Sequence, residues 1–81
     1  MERIAVVGAI LENPEMCRKQ FNDIIAAFKG IIKCRTGIPM DEDDTAVISI
    51  ILKGELDEIN SLTGKLGNIN GVTVKTAISK G

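Results

Sequence analysis

The placement of short runs rich in valine and isoleucine constrains this chain more than any other feature of its sequence. Arg3 to Leu11 (RIAVVGAIL) is apolar and too short for an ordinary helix, so it predicts a buried strand. Ile31 to Ile38 and Thr45 to Lys53 predict a second and a third strand, and the alternating Val72 to Ser79 predicts a fourth. We expect pairing of the second strand to end at Pro39, because proline donates no ladder hydrogen bond.

Two segments of helical periodicity separate these strands. Asn13 and Pro14 predict the start of the first helix, and Gly30 predicts its end. The second helix follows Gly54, has acidic residues in its first turn, and ends at Gly67. The order strand, helix, strand, strand, helix, strand predicts an α+β protein with the ferredoxin-like βαββαβ fold. Its four-stranded antiparallel sheet has both helices on one face, and residues 1–81 form one domain.

Alternation along the two central strands, the first and the third, predicts which side chains face the helices. The bulkier set is expected to face them, namely Ile4, Val6, Ile48, Ile50 and Leu52. The remaining set is expected on the helix-free face, namely Ala5, Val7, Ala9, Val47, Ser49 and Ile51.

An apolar helix-free face predicts self-association, because soluble monomers seldom expose large apolar patches. We expect a homodimer or homotetramer in which a second copy covers this face, or in which edge strands join. The candidate interface residues are Ala5, Val7, Val47, Ser49 and Ile51. The alternative is a monomer with a mildly apolar back face.

Charge and composition disfavour several classes of protein. The formal net charge is −1 and the basic residues are scattered, without the basic stripe or zinc-finger spacing typical of direct nucleic-acid binding. No apolar run approaches the ~20 residues of a membrane span. The segment MERIAVVGAI lacks the features of a signal peptide. The expectation is a cytoplasmic protein with reduced thiols.

The residues capable of chemistry form no familiar catalytic or metal site. Asp41 to Asp44 lack the ligand spacing of a calcium loop and predict a solvated turn. Cys17 and Cys34 are expected to be small apolar packing residues. Without any histidine, Cys–His and Ser–His catalysis are excluded, so we expect no catalytic residues, no cofactor and no enzyme activity. The alternative is that the two thiols, together with acidic side chains, bind a soft metal or an iron–sulfur unit at a subunit interface.

Two features are candidates for contact with an anion. Arg35 lies in the middle of the second predicted strand, either as a solvated edge cation or as an anion contact in a groove between subunits. The turn AILENPE joins the first strand to the first helix. Free backbone N–H groups at Glu15 and Met16 are candidates there for holding a carboxylate or phosphate.

The segments RIAVVGAILENPE, CRTGIP and LDEINSLTGKLGNINGVTVKTAISK together resemble the small ACT-like proteins described as iron-only hydrogenase system regulators. The likeness covers essentially the whole chain, and its specificity comes from the combination of AVVGAI, R-x-GIP, LTGKLG and GVTVKTAISK. That family is similar to the C-terminal domain of nickel-responsive repressors. Those repressors sense nickel through histidines, which this chain lacks, so nickel sensing is not implied.

The resemblance implies an ACT-like domain over residues 1–81 that oligomerises through its sheet and acts in the regulation or maturation of the hydrogenase system. It would bind a small-molecule effector or a hydrogenase-system protein, with no nucleic acid or membrane as direct partner. ACT-type assemblies hold ligands between subunits near the first strand–helix turn. The candidate ligand-binding residues are therefore Ala9, Leu11, Glu12, Asn13, Arg35 and Thr36. The alternative is a maturation accessory that carries metal or an iron–sulfur precursor through Cys17 and Cys34.

Overall fold

The computed structural model describes residues 1–81 and has four strands and two α-helices. In chain order these are β1 (Glu2–Glu12), α1 (Pro14–Ala27), β2 (Ile32–Met40), β3 (Thr45–Glu55), α2 (Leu56–Gly67) and β4 (Val72–Ile78). The sheet order is β2-β3-β1-β4, and every neighbouring pair is antiparallel. The ferredoxin-like fold predicted from the sequence is confirmed.

The hydrophobic core lies between the two helices and one face of the sheet. It contains 17 buried side chains, all apolar, and no buried side-chain N or O atom lacks a hydrogen-bond partner. Phe21 of α1 and Ile59, Leu62 and Leu66 of α2 have no exposed surface. Burying a side chain of this size contributes about 1.5–3 kcal/mol, so these four residues fix the helices on the sheet.

Both helices begin where the sequence places them, although the first does so by a different mechanism. Asn13 has the left-handed conformation (φ 56°, ψ 60°) and its side chain caps no N–H group. Pro14 supplies the first helical residue, as expected. The helix ends at Ala27, and a 3-10 turn over Lys29–Ile31 includes the expected stop, Gly30.

The predicted side-chain alternation of β1 is wrong by one residue. The register pairs Ala5 with Leu52 and Val7 with Ile50, and directly opposite residues of an antiparallel pair lie on the same face. Ala5 and Val7 therefore lie in the core with at most 1% of their surface exposed, and Ala9 lies there with them. The helix-free face instead receives Ile4, Val6 and Ile10, which are 52%, 45% and 45% exposed.

The edge strand β2 departs from the prediction in two ways. Pairing continues past Pro39, which lies opposite Ala46, because an edge strand tolerates proline where the missing N–H would face solvent. The register also shifts between Ile32 and Cys34. As a result Cys34 pairs with Ile51 on the helix-free face, and Ile32 does not share its side of the sheet.

Candidate functional site

The helix-free side of the sheet, called the open face below, is apolar at its centre. Ile4, Val6 and Ile10 of β1 lie beside Val47 and Ile51 of β3, and Val47, Ser49 and Ile51 lie on the side predicted for them. The register places five charged residues nearer the margin, namely Glu2, Glu12, Lys53, Glu55 and Lys75. Thr36 and Cys34 of β2 complete one side of this face.

A second candidate site, the turn cleft, lies where β1 passes into α1. It has a volume of about 390 Å³ and is lined by Glu12, Asn13, Met16, Asn70 and Gly71. The Glu12 N–H donates to the Gly71 carbonyl oxygen at 2.8 Å, which ties this turn to the loop before β4. Gly71 has φ +90°, and a Cβ atom there would lie 3.0 Å from the Glu12 carbonyl oxygen, so glycine is required for this close approach.

Hydrogen bonding at this turn corrects one expectation. The Met16 N–H donates to the Asn13 carbonyl oxygen at 2.9 Å, so it is already satisfied and not free to hold an anion. The Asn13 N–H donates to the Asp44 carbonyl oxygen at 3.0 Å, and Asp44 also has a left-handed conformation. Three chain segments therefore meet at the turn, and their backbone bonds fix its shape.

A third candidate site, the arginine cleft, lies between α1 and β2 on the helix side of the sheet. It has a volume of about 230 Å³. Its lining includes the two arginines Arg18 and Arg35 and a floor of small or aliphatic residues: Gly37, Pro39, Ala46 and Ile48. Arg35 faces this side because the register shift in β2 sets it opposite the buried Ile50.

The six predicted ligand-binding residues do not meet at one site. Ala9 and Leu11 are 1% and 0% exposed in the core and therefore have no surface for a ligand. Glu12 and Asn13 line the turn cleft, whereas Arg35 lines the arginine cleft. Thr36 pairs with Ser49 and lies on the open face. The error in Ala9 and Leu11 has the same cause as that in Ala5 and Val7, which is the reversed alternation of β1.

Several lining residues were not predicted. Asn70 and Gly71 line the turn cleft because β4 pairs with β1 and sets Val72 opposite Leu11. The predicted topology already made β4 and β1 neighbours, so this contact could have been expected from the sequence. Arg18 lies one helical turn before Asn22, whose side chain contacts Arg35. That contact depends on the register of β2, and no motif in the sequence marks it.

The two cysteines lie on opposite sides of the sheet. Cys17 is 1% exposed, and its thiol is 3.8 Å from the Glu12 carbonyl oxygen and 3.9 Å from that of Asn13. Cys34 is exposed on the open face. A metal site that uses both thiols of one chain is contradicted by this geometry, and no group of three or more His, Cys, Asp or Glu side chains converges elsewhere.

A broader cleft of about 450 Å³ separates the two helices and has mixed charge. Its lining includes Asp23 of α1 and Lys65 of α2. Asp23 accepts a hydrogen bond from Lys19 at 2.8 Å, and this bond, together with the carboxylate charge, raises the pKa of Lys19. The Lys65 ammonium lies 5.7 Å from the centre of the Phe28 ring.

Neither helix is long and apolar enough to cross a membrane.

The sequence matches a known family over residues 3–76, described as TM1266-like, "Iron-only hydrogenase system regulator, putative". This chain belongs to that family. The resemblance noted from the sequence is therefore confirmed. The structure of TM1266 from Thermotoga maritima, itself described as uncharacterized, is 36% identical, covers 99% of this chain and 100% of its own, and superposes with a TM-score of 0.94. No curated protein sequence matches this chain.

More distant structures share the fold alone. The nitrogen regulatory PII-like protein CPII from Thiomonas intermedia K12 is 16% identical, with a TM-score of 0.60 over 95% of this chain and 89% of its own. The cofactor-independent oxygenase SnoaB from Streptomyces nogalater is 12% identical, with a TM-score of 0.60 over 100% of this chain and 94% of its own. The fold therefore occurs in a regulatory protein and in an enzyme, and the function must be argued from sites.

Proposed function

We propose that this chain is a non-enzymatic regulatory module of the iron-only hydrogenase system that acts in the cytoplasm as a homo-oligomer. Membership of the regulator family supports the process, and the absence of histidine supports a non-catalytic role. The two free cysteines are compatible with a reducing compartment. The open face is the main support for the proposal, because an exposed apolar surface of this kind is stabilised when another protein surface covers it.

The open face has the composition and size of a protein interface. Its apolar centre and charged margin reproduce the core and rim of such surfaces. Strands of these lengths and spacing give a projected area of roughly 600 Å². A stable interface buries about 800 Å² of accessible surface per partner. The accessible surface of a face covered with side chains is larger than its projected area, so the open face approaches this value. A second copy of this chain is a suitable partner, because a two-fold axis places the apolar centre of one open face against the same apolar centre of the other.

The interface set differs from that expected from the sequence. Val47, Ser49 and Ile51 remain in it, whereas the buried Ala5 and Val7 are replaced by Ile4 and Val6. The replacement strengthens the proposal, since isoleucine and valine present more apolar surface than alanine. Homodimer and homotetramer are both compatible with one open face per chain.

The turn cleft is the proposed place for a small effector or a segment of a partner protein. Its volume of about 390 Å³ lies in the range of small-molecule sites. Glu12 belongs to the open face and also lines this cleft, so a neighbouring copy would lie close to a bound effector. Binding and self-association would then influence each other reciprocally. Neither DNA nor a membrane is proposed as a direct partner.

The proposal is tested by the mass of the assembly in solution. Val6→Lys and Ile51→Lys each place a charge at the centre of the open face, and we expect light scattering to show monomers where the native chain shows oligomers. Ala26→Lys is the matched control, since Ala26 is exposed on α1 and belongs neither to the open face nor to the turn cleft. A native chain that stays monomeric at micromolar concentration would overturn the proposal, as would lysine variants that associate like the native chain.

A further inference from the structure

We propose that the arginine cleft binds a small organic carboxylate with a short aliphatic body. The cleft lies on the helix side of the sheet, so its occupation depends neither on the open face nor on the turn cleft. The inference combines three observations on separate elements: a positioned guanidinium on β2, a second guanidinium on α1, and an apolar floor formed by β2 and β3.

The guanidinium of Arg35 is held in place before any ligand arrives. Its Nη2 donates to the Asn22 side-chain oxygen at 2.7 Å, and its carbon lies 5.7 Å from the centre of the Phe21 ring. Phe21 has no exposed surface, so the ring is fixed by the core. Only one of the five N–H groups of Arg35 is used, and the others are free for an anion.

Neither arginine of the cleft has a carboxylate partner within the chain. The ion pairs of the structure join the Met1 amino group to Glu55 and Lys19 to Asp23. Arg18 and Arg35 line the same small cleft, and no acidic side chain lines it with them. Two guanidiniums with free N–H groups are the usual protein recognition elements for a carboxylate.

The floor of the cleft distinguishes an organic anion from an inorganic one. Gly37 and Pro39 of β2 lie opposite Ile48 and Ala46 of β3, and these small residues leave a gap beneath α1. Ala46 and Ile48 are 6% exposed and form the base of the gap, while most of its apolar surface comes from the exposed Gly37 and Pro39 of β2. A ligand that fits both features carries its charge at the arginines and its hydrocarbon part on this floor.

The volume limits the ligand to a small molecule. At about 30 Å³ for each water-sized unit, a cleft of about 230 Å³ holds roughly eight heavy atoms. Hexanoate has this size and is therefore a suitable probe. Hexanol keeps the hydrocarbon part without the charge, hexylammonium reverses the charge, and inorganic phosphate supplies an anion without a hydrocarbon part.

Titration of the isotopically labelled chain, followed by amide NMR, tests the proposal. We expect hexanoate to give saturating shifts at Arg35, Gly37 and Ile48, while hexanol, hexylammonium and phosphate bind at least about tenfold more weakly. Equal binding of hexanol would overturn the role of the arginines. Equal binding of phosphate would overturn the role of the floor, and a lack of saturating shifts with hexanoate would overturn the site itself.

Variants separate this site from a general attraction of anions to the surface. We expect Arg18→Gln and Arg35→Gln each to weaken hexanoate binding about tenfold, through loss of charge-assisted hydrogen bonds. Lys29→Gln, which removes an exposed positive charge from the 3-10 turn, should leave binding unchanged. The dispersion of the amide spectrum reports whether each variant is folded. Folded arginine variants that bind as well as the native chain would refute the proposal.

A further variant fills the cleft without removing charge. A Cβ atom at Gly37 would lie 3.8 Å from Ile48 Cγ1, an ordinary contact, so Gly37→Ala should fold normally. Its methyl group would occupy part of the floor, and we expect hexanoate affinity to fall several-fold while both arginines stay in place. Unchanged affinity in this variant would contradict the placement of the hydrocarbon part.

Discussion

Gly54 has the least room of any glycine in the chain, and its neighbours explain why no larger residue fits. It lies near the end of β3, on the helix side of the sheet, and is buried. A Cβ atom there would lie 2.9 Å from Ile31 Cγ2 and 3.3 Å from Glu58 Oε1. Ile31 is 9% exposed and packs in the core, so it has little freedom to move away. The glycine lets the chain before β2 pack directly on β3.

We therefore expect Gly54→Ala to lower the free energy of unfolding by about 1–3 kcal/mol, the usual cost of overpacking a core. Urea unfolding of the purified chain measures this change. Gly64→Ala is the matched control, because a Cβ atom at Gly64 in α2 meets nothing within 4 Å and the change should raise helix stability by about 1 kcal/mol. Equal stabilities of the two variants would show that the contact with Ile31 is relieved at little cost.

At the scale of the element, the start of α2 is defined by side chains that the sequence displays. Glu58 accepts a hydrogen bond from the Glu55 N–H at 3.1 Å, which satisfies a donor at the end of β3. Asp57 and Glu58 also place negative charge in the first turn, and Lys65 lies in the last. The strand therefore passes into the helix without a loop, and α2 has a fixed position relative to β3.

Removing the Glu58 carboxylate should weaken this junction. We expect Glu58→Ala to lower the free energy of unfolding by about 0.5–2 kcal/mol, the range measured for lost helix caps. Ser61→Ala, at an exposed position of the same helix, should change it by less than about 0.5 kcal/mol. Chemical unfolding curves of both variants at one pH provide the comparison. A loss as large in Ser61→Ala would contradict a specific role of the Glu58 carboxylate, since alanine itself favours the helix.

The order of elements was predictable from the sequence, whereas the faces of the strands were only partly so. Alternation distinguishes two faces only when one of them is polar, and β1 is apolar on both sides. Pairing with β3 decides which set of alternating β1 side chains faces the helices, because it sets Val7 opposite the buried Ile50. The bulky Ile4 and Val6 therefore lie on the open face, and the small Ala5 and Ala9 pack beneath the helices.

The candidate sites were less predictable than the fold because they depend on contacts between distant segments. The sequence marked the turn after β1 as a candidate anion site through free N–H groups; a cleft does lie at this turn, but the Met16 N–H is already bonded there. The prediction did not place Arg35 on the helix side, because the register shift after Ile32 has no counterpart in the residue pattern. This shift sets Arg35 on the helix side of the sheet and thereby creates a cleft that periodicity could not show, whereas ordinary alternation places its neighbour Thr36 on the open face.

At the scale of the whole molecule, two long central strands determine the shape. β1 and β3 each contain 11 residues, and the molecule measures 41 Å along its longest axis and 18 Å and 17 Å along the others. Only one face of this long sheet is covered by helices. A core of 17 side chains in an 81-residue chain leaves a small stability margin, and covering the open face adds apolar burial that one chain cannot supply.

Self-association through the open face should therefore appear in the thermal stability of the native chain. If only the folded state associates, mass action raises the midpoint of unfolding with protein concentration. We expect calorimetry over a roughly hundredfold concentration range to show this rise for the native chain and a constant, lower midpoint for Ile51→Lys. Ile51 is 41% exposed in the single chain, so its replacement also removes some burial within one chain, and the dependence of the midpoint on concentration is the readout of association. A native midpoint independent of concentration would mean that the open face contributes nothing to stability through association.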